Sequence, residues 1–324
     1  MNRFTELLGV QIPIIQAPTA AIAGPVLAAA VSSAGALGGM GLTWTAPEAA
    51  AKSVRQVRAA TSNPFLVNFV LAFAPTALDA VLDAGAPLVS FSFGDPEPYL
   101  SKIRAAGAKV AVQVGNVDGA RRARDVGVDF VICQGLEAGG HVQSSTPLAM
   151  LLPAVVDAVG GDLPVAAAGG LATGADIAGV LRLGASAAML GTRFVATQES
   201  GAHPEYKRRL VEASAGQTAL TICFDGGWPN ALHRVLRNST LENWEAAGSP
   251  PPGQRPGEGD EVARDSAGNA IRRYEDVAPR PGTTGAIGDM ALYAGRGVEQ
   301  VRDLPAAGDL VRRLWQEAHR CMGG

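Results

Sequence analysis

Short apolar runs alternate with longer, Ala-rich segments of helical period over the first two thirds of the chain. The apolar runs predict strands near residues 12–17, 37–41, 65–70, 88–93, 109–114, 129–134, 164–168 and 186–190. The intervening segments predict helices near 24–34, 46–60, 76–85, 97–106, 117–126, 147–159 and 174–183. Alternating strands and helices are typical of parallel βαβ units, and eight such units predict an α/β fold, a (β/α)8 TIM barrel.

Turn residues mark the ends of these predicted helices. Thr45-Ala46-Pro47-Glu48 and Asp95-Pro96-Glu97 each offer a cap residue followed by an early proline. Glycines fall just past four predicted helix ends, where a left-handed residue is wanted: Gly85, Gly107, Gly127 and Gly184.

The pattern changes after about residue 200. Residues 203–247 look helical, 248–260 are rich in Gly, Pro and charge and predict an extended loop, and 289–321 return to helical patterns. We therefore expect a barrel over 1–200, a smaller, mostly helical and loop addition over 201–288 that covers the barrel mouth, and C-terminal helices over 289–324 that pack on the barrel.

Composition narrows the class of protein. The chain has 324 residues, 47% hydrophobic, and a formal net charge of −3, which gives no electrostatic case for nucleic acid or an anionic membrane. Its three cysteines are scattered without metal-ligand spacing. With no secretory signal or membrane span in the sequence, they predict reduced thiols and a cytoplasmic location.

Glycine loops follow three consecutive predicted strands. The sixth strand leads into Gln134-Gly-Leu-Glu-Ala-Gly-Gly-His141, the seventh into Ala168-Gly169-Gly170, and the eighth into Gly191-Thr192. Backbone N–H groups without nearby side chains are good phosphate ligands, and this fold commonly binds phosphate after its last two strands. The alternative is that these glycines only make tight turns.

Polar amides interrupt three of the apolar runs, at Gln16, Asn68 and Gln113. Amides supply both donors and acceptors, so they could recognise the edge of a flavin ring. The alternative is a buried amide that neighbouring backbone satisfies.

His141 is the only histidine near a predicted strand end, and its ordinary pKa lies close to working pH. We expect it to act as a proton acceptor, against the alternative of a structural histidine. For Glu137 we expect either a role as a second base or a salt bridge that fixes the loop. His203 is expected at a helix start, and His233 in a helical segment. Cys133 is expected in the core.

The segments Gln134–His141, Ala167-Ala-Gly-Gly170 and Met189-Leu-Gly-Thr-Arg-Phe194, with Pro13-Ile-Ile-Gln-Ala-Pro18, resemble the signature of nitronate monooxygenases, formerly called 2-nitropropane dioxygenases. The resemblance runs from about residue 4 to 200. It implies a TIM barrel with non-covalently bound FMN and His141 as the catalytic base. It also implies FMN contacts from a set of loop residues: Ala17, Pro18, Thr19, Asn68, Gln113, Gln134, Gly139, Gly140, Ala168, Gly169, Gly170, Gly191 and Thr192.

Two departures from the family pattern touch the expected site wall: Thr19 in place of a common Met, and Val142-Gln143 directly after the histidine. FMN-dependent enoyl-acyl carrier protein reductases share a similar Glu-Ala-Gly-Gly-His segment and resemble residues 199–207. The resemblance implies oxidation of small alkyl nitronates or nitroalkanes with O2 to a carbonyl compound and nitrite. The alternatives are an NAD(P)H-dependent flavin reductase for an enoyl thioester or quinone, and a non-catalytic flavin-binding scaffold. The oligomeric state is left open.

Overall fold

The computed structural model describes residues 2–161, 163–214 and 216–323, and all eight predicted barrel strands are present. They are β1 (Ile14–Gln16), β2 (Gly38–Gly41), β3 (Phe65–Val70), β4 (Leu88–Ser92), β5 (Lys109–Val114), β6 (Phe130–Gln134), β8 (Val165–Ala168) and β9 (Ala187–Leu190). A two-residue strand outside the barrel, β7 (Gly140–His141), follows β6.

The eight strands form one parallel sheet in the order β1-β9-β8-β6-β5-β4-β3-β2. A parallel bridge between Ile15 and Leu37 joins the two edge strands. The backbone N–H of Gln16 also donates to the carbonyl of Leu37 at 2.9 Å, so the sheet closes on itself. The predicted TIM barrel is confirmed, and all its strands point their carboxyl ends toward the same face.

The predicted helices are also present, within two residues at each end. They are α2 (Pro25–Ser33), α3 (Pro47–Ala60), α4 (Leu78–Asp83), α5 (Glu97–Ala105), α6 (Val117–Asp125), α7 (Leu148–Val159) and α8 (Gly174–Arg182), preceded by α1 (Arg3–Leu8) and followed by a short helix after β9, α9 (Thr192–Val195). The four glycines expected after helix ends have φ between 73° and 94°, in the left-handed region that glycine adopts at little cost.

Apolar side chains form one core layer inside the barrel and another between the barrel and its helices. Helix α1 closes the amino-terminal end of the barrel, where the ring of Phe4 meets that of Phe130 edge-on at 5.3 Å. The opposite end, at the strand carboxyl termini, is therefore the end at which a ligand can enter.

Residues 203–247 differ from their prediction as a helical segment. Residues 203–247 contain α10 (Pro204–Glu212) and α11 (Ser239–Ala246), but the stretch between them forms β10 (Thr218–Thr221) and β11 (His233–Leu236). The helical reading was wrong there because β11 gains its stability by pairing with β10 and with β7, partners that local periodicity does not reveal.

The rest of the addition is a small sheet and a final helix. Strands β12 (Glu261–Arg264), β13 (Ala270–Arg272) and β14 (Thr284–Gly285) pair antiparallel, and the loop before them follows the predicted break at 248–260. Helix α12 (Ala307–Met322) packs against α8 and α2 of the barrel. No helix among the described residues is long and apolar enough to cross a membrane.

Candidate active site

His141 is held in place by an antiparallel ladder between β7 and β11. It lies opposite His233, and Gly140 lies opposite Arg234. The ladder continues one residue further, where the N–H of Val142 donates to the carbonyl of Leu232 at 2.8 Å. The loop after β6 is therefore fixed by a strand from the addition, which positions His141 more rigidly than a free loop would.

The two residues before His141, Gly139 and Gly140, are glycine for different structural reasons. A Cβ on Gly139 would lie 2.3 Å from the backbone nitrogen of Gly295, so this position needs glycine for close approach of two chain segments. Gly140 has φ 76° with open space around its Cβ position, so its backbone conformation is what favours glycine.

The imidazole of His141 lies among aromatic rings. Its centroid is 4.4 Å from that of Trp228, 5.5 Å from that of His233 and 5.8 Å from that of Tyr293. The Nε2 atom is buried and has no hydrogen-bond partner within the described part of the chain. Burial, and secondarily the neighbouring His233, lower the pKa of His141 to about 3, so the ring is neutral at pH 7.

His233 is a buried strand residue, which corrects its assignment to a helical segment. Its Nδ1 lies 2.8 Å from the carbonyl of Ala231, and its Nε2 accepts from the N–H of Phe224 at 3.2 Å. These two contacts assign the neutral tautomer that carries its proton on Nδ1. Burial lowers the pKa of His233, in agreement with that assignment.

The two loops predicted to bind phosphate leave unused donors. Four backbone N–H groups donate to no other described residue: those of Gly169, Gly170, Gly191 and Thr192. The Thr192 hydroxyl accepts from the N–H of Gly295 at 2.9 Å, which ties the C-terminal segment to the loop after β9. Because an unused backbone donor is costly once water is excluded, these loops are suited to an anionic ligand.

Helix α8, which follows the first of these loops, is capped at its start. Thr173 and Asp176 form a capping box, and Asp176 Oδ2 also accepts from the N–H of Ala172 at 3.0 Å. These capping contacts do not involve the N–H groups of Gly169 and Gly170 in the preceding loop.

The loop after β1 adjoins the loop after β9. A Cβ on Gly191 would lie 3.6 Å from Cβ of Ala17 and 3.8 Å from Cγ2 of Thr19, which is ordinary van der Waals contact. The backbone of Gly191 is also unstrained, since its φ is −102°. Ala17, Pro18 and Thr19 therefore lie beside the candidate phosphate loop, and a small side chain at 191 would fit the protein itself.

Among the amides singled out in the sequence, Gln16 has a structural role, whereas Gln113 and Gln134 form a group at the barrel mouth. Gln16 is fully buried and accepts from the N–H of Gly39 at 2.9 Å, so the backbone satisfies it. Gln113 donates to Gln143 Oε1 at 2.7 Å, and Gln134 Oε1 accepts from the Gln143 N–H at 2.8 Å. Gln143, a departure from the family pattern, thus links two of the predicted cofactor-binding amides.

Asn68 lies next to this group and is anchored by Ser90, to whose Oγ it donates at 3.0 Å. Glu137 fixes the loop after β6 to the start of α7. Its Oε2 accepts from the N–H of Leu148 at 3.0 Å, which satisfies a donor at the start of α7. Cys133 is buried as expected, and burial raises its pKa to about 12.

The stretch 199–207 has structural contacts that account for its residues. Glu199 Oε2 accepts from the N–H of Ala307 at 2.8 Å, His203 Nδ1 accepts from the N–H of Glu205 at 3.1 Å, and Lys207 donates to the carbonyl of Thr197 at 2.7 Å. These contacts join α10 and α12 to the barrel. Glu199, His203 and Lys207 therefore each have a structural role in this chain.

Sequence reasoning missed Trp228, Tyr293 and the segment 294–297. The segment crosses both candidate phosphate loops, since Gly295 contacts Thr192 and a Cβ on Gly297 would lie 2.1 Å from the carbonyl oxygen of Gly170. The closely spaced glycines of Ala294-Gly-Arg-Gly297 could have predicted that the backbone here approaches another chain segment closely. No group of His, Cys, Asp and Glu in the described ranges is arranged to hold a metal ion.

Comparison with known proteins agrees with this geometry. The family model for nitronate monooxygenase matches residues 1–80 and 72–317. A nitronate monooxygenase from Pseudomonas aeruginosa is 33% identical, over 98% of this chain and 99% of its own length.

Two solved structures share the whole architecture. Nitroalkane oxidase from Streptomyces ansochromogenes superposes with a TM-score of 0.78 at 30% identity, covering 99% of each chain. FabK from Thermotoga maritima gives a TM-score of 0.82 at 28% identity, covering 100% of this chain and 97% of its own. The chain belongs to the nitronate monooxygenase family and is an oxidoreductase.

Proposed function

We propose that the protein is an FMN-dependent nitronate monooxygenase that oxidises small alkyl nitronates or nitroalkanes with O2 to a carbonyl compound and nitrite. The observation that carries the proposal is the Nε2 atom of His141. It is buried, has no partner among the described residues, and lies at the carboxyl end of the barrel. A buried polar atom without a partner is costly unless a ligand completes it.

The residues present fit FMN. The free N–H groups of Gly169, Gly170, Gly191 and Thr192 suit its single phosphate, and no dinucleotide-type glycine motif follows β1. The amides of Asn68, Gln113 and Gln134 suit the polar edge of its ring, and Ala17 and Thr19 lie beside the phosphate loop at Gly191. Bound FMN supplies the electron transfer to oxygen that amino-acid side chains lack.

The protein itself supplies proton transfer, orientation and exclusion of water. His141 Nε2 accepts the proton α to the nitro group when the substrate arrives as the neutral nitroalkane. Its orientation is set by the ladder to β11, and the indole of Trp228 covers one face of its ring. A substrate that arrives as the nitronate needs no base, so the same site turns it over without that step.

The test begins with the purified protein. FMN should be released on denaturation, and aerobic turnover of a small alkyl nitronate should consume O2 and release nitrite. Anaerobic addition of the nitronate should alter the flavin absorption spectrum, whereas NADH and NADPH should leave it unchanged.

Other outcomes identify the alternatives. Bleaching of the flavin by NADH or NADPH, with reduction of an enoyl thioester or quinone, would show a reductase. A flavin spectrum that responds to none of these compounds would show a flavin-binding scaffold. Release of FAD, or no flavin after reconstitution with FMN, would exclude the proposed cofactor.

A further inference from the structure

The barrel mouth carries a continuous row of aromatic rings that ends at the proposed base. We call it the aromatic wall, and it consists of Trp44, Phe73, Trp228, Phe93 and His141. Centroids along it are 5.2 Å apart for Trp44 and Phe73, and 5.4 Å apart for Phe73 and Trp228. Trp228 lies 4.7 Å from Phe93 and 4.4 Å from His141.

These rings come from separate parts of the chain. Trp44, Phe73 and Phe93 follow the carboxyl ends of β2, β3 and β4, and Trp228 comes from the connection between β10 and β11. The wall is therefore assembled by the tertiary structure at the face where the strands end. It runs from Trp44, which is 57% exposed, to the buried Nε2 of His141.

Phe93 is held in a backbone conformation that a bulky residue rarely adopts. Its φ is 57°, in the left-handed region. Such strain persists where the surrounding structure enforces it, and it gathers at ligand sites. The next residue, Gly94, leaves no room for a side chain, because its Cβ would lie 2.3 Å from Cβ of Leu71. The chain is thus packed so that the Phe93 ring meets Trp228.

The rings of Trp44, Phe73, Trp228 and Phe93 present mainly apolar surface. The Arg255 guanidinium, the one cation over an aromatic ring among the described residues, lies on Tyr274 outside the wall. Charged groups lie close to the two ends of the His141–Trp228 contact: Arg234 is opposite Gly140, and Asp276 Oδ1 would lie 2.4 Å from a Cβ on Gly227. The surface that the wall itself offers a substrate is flat and mostly apolar.

We propose that Trp228 is a specificity-determining residue and that the aromatic wall selects nitro compounds with a flat, aromatic substituent over those with a small alkyl substituent. The inference rests on the proposed function and refines its substrate class. An aromatic ring on the wall buries apolar surface against Trp228 and Phe93 and gains edge or offset ring contacts, whereas an ethyl group covers little of the wall.

The kinetic test compares three nitronates: those of phenylnitromethane and nitroethane, and propionate 3-nitronate. The wild-type holoenzyme should favour the aryl nitronate in kcat/KM by at least about tenfold. Trp228→Ala should remove most of that preference, and Trp228→Phe, which keeps a flat ring, should retain it. Trp315→Ala is the matched control, because Trp315 lies on α12 against His319.

A binding test separates this inference from the proposed function. Nitrobenzene and 2-methyl-2-nitropropane lack an α proton, so each can bind without turnover. Calorimetry on the holoenzyme should show nitrobenzene binding at least about tenfold more tightly, with the difference lost in Trp228→Ala. If nitrobenzene binds more tightly and Trp228→Ala removes the difference, but no nitronate is turned over, the role of the aromatic wall is supported and the proposed monooxygenase activity is rejected. Equal losses for all substrates in Trp228→Ala, or no nitrobenzene preference in the wild type, would overturn the inference.

Discussion

The imidazole of His141 and the indole of Trp228 lie 4.4 Å apart between ring centroids, with their planes tilted by 31°. The two residues come from opposite halves of the chain, one from the loop after β6 and the other from the connection between β10 and β11. The contact shows that the addition after the barrel contributes directly to the candidate active site. The environment of the proposed base is therefore set by two regions that fold onto each other.

Replacing His141 should affect neutral substrates more than ionised ones. His141→Asn keeps a polar side chain but accepts no proton at neutral pH. Turnover of a neutral nitroalkane should fall about 10²–10⁴-fold in kcat/KM, the usual contribution of a general base, and turnover of its nitronate much less. The ratio of the two losses at matched flavin content is the measurement. His319→Asn, on the exposed face of α12, is the control, and a ratio near one would remove His141 from the role of base.

The buried imidazole should also leave a signature in the pH dependence of stability. The pKa of His141 is lowered to about 3 in the folded protein, so below pH 6.5 the unfolded chain binds a proton that the folded chain does not. Stability is therefore lost as pH falls from about 6.5 toward 3. Relative to His141→Phe, the wild type should lose up to about 2 kcal/mol of unfolding free energy between pH 7 and 5. Parallel curves for the two proteins in urea titrations would contradict the lowered pKa.

Gly191 offers a clean test of the phosphate site. Gly170 is less suitable, because its φ is 71° and a Cβ there would lie 2.9 Å from Cβ of Glu137, so substitution would strain the fold itself. Gly191→Ala fits the protein without strain and should weaken FMN binding by about tenfold or more by crowding the ligand. Gly179→Ala, in α8 with open space around it, is the control. Equal FMN affinity in both variants would exclude Gly191 from the site.

A buried ion pair supports the loop that carries Trp228. Asp225 and Arg255 form two hydrogen bonds of 2.7 and 2.9 Å, and both side chains are less than a tenth exposed. Arg255→Met should cost about 3–5 kcal/mol in unfolding free energy, because it leaves a buried carboxylate without a partner. Lys102→Met breaks an exposed pair and should cost about 0–1 kcal/mol. Similar denaturation midpoints for the two variants would show that the Asp225–Arg255 pair contributes little to stability.

The three cysteines should react at very different rates with a thiol reagent. Cys133 and Cys223 are buried, and burial raises the pKa of each to about 12, whereas Cys321 is exposed on α12. Because the thiolate is the reactive form, one thiol should react rapidly in the native protein and two more only after unfolding. Cys321→Ser should abolish the rapid phase. A rapid phase that persists in that variant would place a second thiol within reach of solvent.

The sequence determined the barrel because the signals that define it are local. Apolar runs, prolines near helix starts and glycines after helix ends each act within a few residues, and together they located eight strands and seven helices. The parallel arrangement then brings the strand carboxyl ends to one face. This alone placed His141 at the same face of the barrel as the glycine loops at 169–170 and 191–192.

The tertiary structure decided what surrounds His141, because those contacts join distant segments. Strand β11 forms through its pairing with β10 and β7, so helical periodicity around His233 was misleading. Gly139 is required by the approach of Gly295, and neither residue alone indicates the other. The stack of Trp228 on His141 likewise exists only once the addition folds onto the barrel. Sequence pattern located the proposed base, and long-range packing made it a buried, neutral imidazole at the end of an aromatic wall.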